Sequence, residues 1–210
     1  SRTLIYQVDS VIFDLEGTQR VPKSSTSYHR YDRIYEAGQW WIKSYWRPED
    51  SSEWKFNERI GLALENGDVW ETRAAAVLKK VDQPLYDGHQ WEETEGVSPM
   101  LSAMISGESI MPYAVPWLME AQIRSDGYSL NGLTFDTYLI KEMTPEDLLI
   151  QYRYSKEVYA LGVGLIFREL YIADTQCEHT GGLLESCVDQ DWNEKANKGY
   201  RLTMQLKEIQ

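Results

Sequence analysis

Residues 54–81 read WKFNERIGLALENGDVWETRAAAVLKKV, two partly apolar runs joined by an Asn-Gly pair. The runs are 54–64 and 69–81, and Glu65-Asn66-Gly67-Asp68 lies between them. Asn-Gly suits a two-residue hairpin turn because both central residues of such a turn have positive φ. The stretch therefore predicts an antiparallel hairpin. Ala74-Ala75-Ala76 has helical propensity, so the second arm is open to a helix if packing does not override it.

Upstream of this hairpin the sequence predicts further strands. Residues 4–15 are rich in β-branched and aromatic side chains, which favours a strand. Residues 27–35 alternate between two faces and are too polar for a strand buried on both sides. Ala37-Gly38-Gln39 then separates them from 40–46, so the two runs predict a second hairpin whose turn uses the glycine.

Downstream, residues 82–116 carry so many prolines and glycines that they predict an irregular connection without long elements. A helical turn is expected there only near 100–105, after Ser-Pro. Strands return at 117–123 and 133–140. Residues 144–147 (Thr-Pro-Glu-Asp) fit either a helix start or a type I turn.

The last third of the chain predicts strands at 148–153, 165–173 and 200–209, with at most one helical turn in 189–198. Gly162 and Gly164 flank a single valine between the first two of these strands, which indicates a bulge or a tight crossing. The whole pattern, roughly nine to eleven strands with few short helices, predicts a mainly β fold. We expect one β-rich domain over 1–210, an antiparallel meander that forms a curved sheet, a half-barrel or a sandwich.

The charge of the chain argues against nucleic acid as a partner. It has 33 acidic and 21 basic residues, a net charge of -12, and no basic cluster to offset it. Such a chain repels phosphate backbones. No apolar run approaches the ~18 residues that a spanning helix needs. We therefore expect no segment of the chain to cross a bilayer.

Cys177 and Cys187 are the two cysteines of the chain, and they flank a polar loop with two adjacent glycines. Glycines let the backbone double back and bring the sulfurs close, so we predict a disulfide and an oxidising compartment. The alternative is a zinc site made of Cys177, His179 and Cys187. It lacks the CxxC spacing and a fourth ligand, so we predict no metal.

Aromatic residues are the most suggestive feature for function, with 8 Trp and 14 Tyr against 4 Phe. The candidate ligand-binding residues form one run: Trp40, Trp41, Tyr45 and Trp46. Strand alternation places Trp40 and Trp46 on one face and Trp41 and Tyr45 on the other. Such rings can lie flat on a sugar chain or pack across strands, and packing is the more common use.

No catalytic signature emerges from the sequence. No Gly-x-Ser-x-Gly elbow is present, Gly162-Val163-Gly164 lacks the third glycine of a dinucleotide site, and the three histidines lie in separate segments. Pairs of acids could serve glycoside hydrolysis: Asp189 with Asp191, Glu92 with Glu93, and Glu49 with Asp50. Asp189, Asp191 and Glu194 lack the spacing and glycine of an EF-hand. We predict neither a cofactor nor enzymatic activity.

Residues 158–169 read VYALGVGLIFRE. This segment resembles the YAxGVGLVYKE strand pair found near the end of exported envelope lipoproteins of the Bacteroidetes type. Looser matches in the same order are present at 6–11, 77–81, 133–136 and 191–202. The resemblance implies export, a lipid on a cysteine upstream of Ser1, and a location in the periplasm or at the cell surface, held at the outer membrane. It carries over no functional residue.

These observations favour a non-catalytic, exported envelope domain that acts by binding or by structural association, with a glycan or an envelope protein as partner. Two alternatives are a carbohydrate-binding module that uses the aromatic run and, with less support, an acid-pair glycoside hydrolase.

Overall fold

The computed structural model describes residues 2–16, 19–175 and 189–210, and these are almost entirely β-structure. One short helix, α1 (Trp192–Lys195), precedes the last strand. The strands, in chain order, are β1 (Arg2–Phe13), β2 (Leu15–Glu16), β3 (Gln19–Arg20), β4 (Lys23–Glu36), β5 (Gln39–Arg47), β6 (Lys55–Glu65), β7 (Asp68–Arg73), β8 (Ala76–Val81), β9 (Gln90–Glu92), β10 (Ala103–Ile105), β11 (Glu108–Ile110), β12 (Leu118–Arg124), β13 (Tyr128–Leu130), β14 (Leu133–Phe135), β15 (Tyr138–Met143), β16 (Glu146–Asp147), β17 (Gln151–Ala160), β18 (Gly164–Asp174) and β19 (Lys198–Ile209).

Thirteen of these strands form one antiparallel sheet, in the order β8-β7-β6-β5-β4-β1-β19-β18-β17-β15-β12-β9, with β16 paired to β17. The two ends of this sheet approach each other. The Lys79 amide donates to the Glu93 carbonyl at 2.9 Å, and Trp91 Nε1 donates to the Lys79 carbonyl at 2.9 Å. The sheet is therefore a nearly closed barrel. The prediction of a mainly β, antiparallel fold with few helices is confirmed.

The predicted hairpins are present with the expected turns. Asn66 and Gly67 have φ of 54° and 98°, and β6 pairs with β7 across them. Ala37 and Gly38 likewise have positive φ between β4 and β5. Positive φ at both central residues matches the right-handed twist of the flanking strands. Each of these turns therefore sets which residues of its two strands pair.

Three local predictions are wrong. The second arm of the first hairpin is neither one strand nor a helix, because the chain reverses at Ala74 (φ 42°) and splits it into β7 and β8. Residues 103–105 form β10, which pairs with β11, and not a helical turn. Glu146 and Asp147 form β16 against β17, so 144–147 start no helix. In each case strand pairing overrides local propensity.

The barrel has two different ends. At one end, named here the mouth, β1 begins opposite the end of β4, and the turns at 37–38, 66–67 and 161–163 reverse the chain. At the other end, residues 94–117, named here the plug, pack against the sheet. Their buried side chains share a cluster with the strands: Trp91, Ile110, Trp117, Met119, Ala121, Met143 and Ile172.

Arg153 fixes the plug to the wall. Its side chain is fully buried, and it donates to the carbonyl oxygens of Met111 (3.0 Å) and Pro112 (3.2 Å). It also forms an ion pair with Asp174 at 2.7 Å. A planar guanidinium offers several donors at fixed angles, which suits it to hold a loop by its carbonyls. The barrel is thus closed at the plug and accessible at the mouth.

Among the described helices, none is long and apolar enough to cross a membrane.

Candidate ligand-binding cavity

A cavity of about 300 Å³ lies inside the barrel at the mouth. Small-ligand sites usually measure roughly 300–1,000 Å³, so this one suits a small ligand. Strands deliver alternate side chains to the interior, because successive residues point to opposite faces. The surface of the cavity walls is mainly apolar, and aliphatic and tyrosine side chains contribute to it: Leu4, Ile42, Leu62, Val69, Val81, Val163, Leu165, Tyr6, Tyr31 and Tyr159.

A β-bulge brings Lys80 and Val81 to the same cavity. Val69 pairs with Val81 and Trp70 pairs with Lys79, so Lys80 has no partner of its own on β7. An extra residue in one strand disturbs the strict alternation of side chains. Lys80 and Val81 consequently both line the cavity, where Lys80 joins Glu71, Arg73 and Arg168 among the charged lining residues.

Lys80 belongs to a closed ring of two lysines and two glutamates, named here the ion-pair ring: Lys80, Glu93, Lys141 and Glu157. Each lysine contacts both glutamates; for example, Lys80 Nζ lies 2.9 Å from Glu157 Oε1, and Lys141 Nζ lies 2.8 Å from Glu93 Oε2. No side chain of the ring is more than 7% exposed. The opposite charges balance, which is the condition for holding ions away from water.

Two further side chains bind Glu157. Arg168 Nε donates to its Oε1 at 2.8 Å, and the Tyr159 hydroxyl donates to its Oε2 at 2.7 Å. Burial by itself would raise the pKa of Glu157. Arg168 and the two ring lysines outweigh burial and hold that pKa well below its ordinary value. Glu157 is therefore ionised in the folded protein.

Glu71 and Arg73 on β7 lie beside the ring. Arg73 Nε donates to Glu71 Oε1 at 2.6 Å, and its Nη1 donates to Glu58 at 2.8 Å. Burial opposes the charge of Glu71, but Arg73, Lys80 and Arg168 together lower its pKa to about 2. This carboxylate is thus ionised because the cations around it outweigh its desolvation.

We expect the protein to lose stability in acid partly through Glu71. Its pKa is lower in the folded state than the ordinary 4.5, so its stabilisation is present above pH 4.5 and is lost as the pH falls toward 2. The loss is about 3 kcal/mol. Urea unfolding between pH 5 and 2 checks this: the slope should be shallower in Glu71→Gln than in the wild type. Equal slopes would contradict it.

A second cavity of about 260 Å³ lies beyond these charges, toward the plug, where Tyr113 and Trp117 line it. Five side chains border both cavities: Tyr31, Glu71, Arg73, Lys80 and Arg168. These residues form a charged layer that divides the interior of the barrel. The cavity at the mouth, with mainly apolar walls, is named here the outer chamber, and the cavity that ends at the plug is named the inner chamber.

Two arginines face each other at the entrance to the outer chamber. Arg2 on β1 pairs directly with Arg33 on β4, and both line the cavity. Arg2 donates to the Gly162 carbonyl, and the Arg33 guanidinium lies 5.2 Å from the centroid of the Trp40 ring. Within the described residues, neither forms an ion pair with a carboxylate. Like charges directly opposite on neighbouring strands destabilise a sheet, so an anion between them would relieve the repulsion.

Of the predicted aromatic run, Trp41 and Tyr45 lie on the outer face of β5, opposite to the inward Ile42. An arginine covers one face of each ring: Arg59 lies 4.0 Å from the Trp41 centroid, and Arg30 lies 4.2 Å from that of Tyr45. Such cation–π contacts stabilise the surface of the barrel. They also occupy ring faces that a sugar would use.

Trp40 and Trp46 lie on the other face of β5, near its two ends. Trp40 is 47% exposed at the mouth, with its ring centroid 5.0 Å from that of Tyr35. Trp46 lies beside Lys55, whose Nζ is 5.5 Å from the ring centroid. The four residues of the run are therefore divided between two faces and do not form one platform. Sugar binding by them stays a prediction.

One member of each acid pair chosen from the sequence is engaged in structural contacts. Asp191 caps α1 by accepting from the Asn193 amide at 2.8 Å. Glu93 belongs to the ion-pair ring, and Asp50 accepts from Lys207 at 2.6 Å. Glycoside hydrolysis by these pairs stays an untested alternative. Among the described residues, no three His, Cys, Asp or Glu side chains lie together as a metal site would require.

Cys177, His179 and Cys187 fall within 176–188, outside the described residues. The disulfide therefore stays a prediction, and the zinc site stays the untested alternative to it. His29 lines the inner chamber, and His89 Nε2 lies 2.8 Å from Asp82 Oδ2.

Neither the ion-pair ring nor the facing arginines Arg2 and Arg33 were predicted from the sequence. The available signal was strand alternation: Lys141 lies between Leu139 and Met143 on one face of β15, where apolar neighbours two positions away indicate the interior. Polar residues of a strand are normally assigned to its solvent face, so the charged residues of the ring and the two arginines were expected at the surface. Only the closure of the barrel brings Lys141 to its partners on other strands.

No protein-family model matches the chain, and no curated protein sequence matches it significantly. Among solved structures, a candidate exported protein with a YmcC-like fold from Bacteroides fragilis is 12% identical to it, over 98% of this chain and 95% of that one. The TM-score is 0.39, a level at which the likeness supports no argument about fold or function.

Proposed function

We propose that this protein is a non-catalytic, exported binding protein of the cell envelope, whose outer chamber binds a small amphiphile with an acidic group. The resemblance of residues 158–169 to envelope lipoproteins supports export and a lipid anchor at the outer membrane. β1 enters the barrel at the mouth, so such an anchor would hold the mouth toward the membrane.

One observation carries this proposal. Arg2 and Arg33 lie at the entrance to a chamber with mainly apolar walls, and within the described residues neither forms an ion pair with a carboxylate. Arg2 and Arg33 would hold a carboxylate or phosphate by charge-assisted hydrogen bonds. The hydrocarbon body of the ligand would lie inside, where its transfer from water is favourable. The charged layer below sets the depth of the chamber, since its ion pairs are already satisfied.

The same geometry favours binding over catalysis. Glu93 and Glu157, which line the inner chamber, are each held by at least two cations. A general base needs a carboxylate whose pKa is near the working pH, whereas the pKa of Glu157 is well below its ordinary value. The ring therefore serves as a structural layer in this proposal.

Isothermal titration calorimetry with decanoate and decanol tests the proposal. Decanoate should bind more tightly than decanol, and Arg33→Gln should weaken decanoate by about tenfold while leaving decanol unchanged, because it removes one charge-assisted contact. Arg33 is exposed, so the substitution should not affect folding.

Two further variants locate the site. Leu62→Trp fills the chamber and should remove binding of both probes. Ala63→Trp places the same bulk on the opposite face of β6 and should bind both probes like the wild type. Circular dichroism verifies that both variants are folded. Absence of decanoate binding in the wild type, or unchanged binding in Leu62→Trp, would refute the proposal.

A further inference from the structure

Large apolar side chains project from the turns around the mouth. Leu161 is 80% exposed, Leu64 75%, Tyr35 60% and Trp40 47%. Leu64 lies beside the 66–67 turn, Leu161 lies in the turn after β17, and Tyr35 and Trp40 flank the 37–38 turn. All four side chains lie at the same end of the barrel, so one partner that covers the mouth can contact all of them.

The chemistry of these tips fits a lipid interface. Tyr35 and Trp40 combine an apolar ring with a polar edge, the combination that is enriched where hydrocarbon meets water. Arg33, next to Trp40, and Arg2, opposite Arg33, lie just inside the tips, at a level where lipid phosphates would meet them. A guanidinium pairs readily with phosphate in a bidentate geometry.

We propose that the mouth docks on a phospholipid surface, with the four apolar tips inserted into the interface and Arg2 and Arg33 against the phosphates. The tips surround an opening and do not form a continuous patch, and a fluid lipid surface fits such a rim. The outer chamber then opens directly into the lipid, so an amphiphile can enter without crossing water. This inference goes beyond the proposed function and does not depend on it.

Insertion of the tips should dominate over electrostatic attraction. The same turns carry the carboxylates Glu36, Glu65 and Asp68, and the chain as a whole has a net charge of -12. Glu36 is paired with Lys43 and Arg59, but the mouth is not strongly basic. Binding to vesicles should therefore persist in 1 M salt, where charges are screened beyond about 3 Å.

Co-sedimentation of the protein with vesicles of phosphatidylethanolamine and phosphatidylglycerol tests the inference. The double variant Leu64→Ser with Leu161→Ser should bind the vesicles at least about tenfold more weakly than the wild type, because it removes two inserted side chains. The matched control is Phe56→Ser with Met104→Ser. These side chains are 60% and 69% exposed but lie toward the other end of the barrel, so this variant should bind like the wild type.

The outcomes separate this inference from ligand binding in the chamber. Leu64 and Leu161 do not line the outer chamber, so their double variant should still bind decanoate. Leu62→Trp should lose decanoate and keep the vesicles. Failure of the wild type to sediment with vesicles, or equal losses in the two double variants, would overturn docking at the mouth, whatever the result with decanoate.

Discussion

Replacing Glu157 by Gln is expected to lower the free energy of unfolding by about 3–5 kcal/mol. Glu157 accepts from Lys80, Lys141, Arg168 and Tyr159, and its side chain is only 2% exposed. The neutral amide leaves the cations Lys80, Lys141 and Arg168 in the interior. Glu93 is then the one carboxylate of the ring, and it is shared by the two lysines. An uncompensated charge that is shielded from water is far more costly than the loss of one hydrogen bond.

Urea unfolding at pH 7 measures this loss, and Glu142→Gln is the matched control. Glu142 also binds a lysine and a tyrosine, with its Oε2 3.2 Å from Lys156 Nζ, but the pair is about one-third exposed. Water compensates such a pair, so the control should cost no more than about 1 kcal/mol. Similar losses in both variants would contradict the role assigned to the ring.

A second substitution tests the mechanism behind the loss. Lys141→Met in the Glu157→Gln background removes one of the uncompensated cations and replaces it with a side chain of similar length. The double variant should therefore be more stable than the sum of the two single losses predicts. Strict additivity would show that Lys141 and Glu157 act independently, which their shared contact argues against.

Local signals predicted the hairpins, because a turn with positive φ leaves a direct mark in the sequence. Asn66-Gly67 and Ala37-Gly38 are such marks, and each defines which residues of its two strands pair. The turn at Ala74 left no comparable mark, since alanine is uncommon at positive φ. Its conformation follows from the pairing of β7 with β8, which is a tertiary effect.

Closure of the barrel could not be predicted from any local signal. The contact between Lys79 and Glu93 joins the two ends of the sheet, and the ion-pair ring depends on it. The members of the ring come from β8, β15, β17 and the segment after β9. Each looks like an ordinary surface residue in its own segment, and only the assembled barrel places their charges together.

The aromatic run shows the opposite relation between sequence and structure. Its composition drew attention to Trp40, Trp41, Tyr45 and Trp46, and strand alternation correctly divides them between two faces of β5. The functional interest shifts to one member, because Trp40 alone lies with Tyr35 at the mouth. Position relative to the opening, which the sequence does not reveal, therefore matters more than the number of rings.

Gly199 on β19 pairs with Ala173 on β18, and Gly199→Ala should cost about 3–5 kcal/mol. Gly199 has φ of 110°, a conformation that residues with a Cβ rarely adopt. An added Cβ would also overlap the Ile172 carbonyl oxygen and lie 2.9 Å from Ala173 Cα. Both obstacles are backbone atoms in the middle of the sheet, so neither can rotate away.

Gly164→Ala separates the two causes. Gly164 has almost the same φ, 111°, but an added Cβ would meet no atom within 4 Å. Its substitution should therefore cost only the conformational strain, about 1–2 kcal/mol. Thermal and urea unfolding of both variants measure the difference, which reports the steric cost of separating β18 from β19. Equal losses of unfolding free energy in the two variants would mean that β18 and β19 separate at no cost. A barrel whose strands separate so easily could not exclude water from the ion-pair ring.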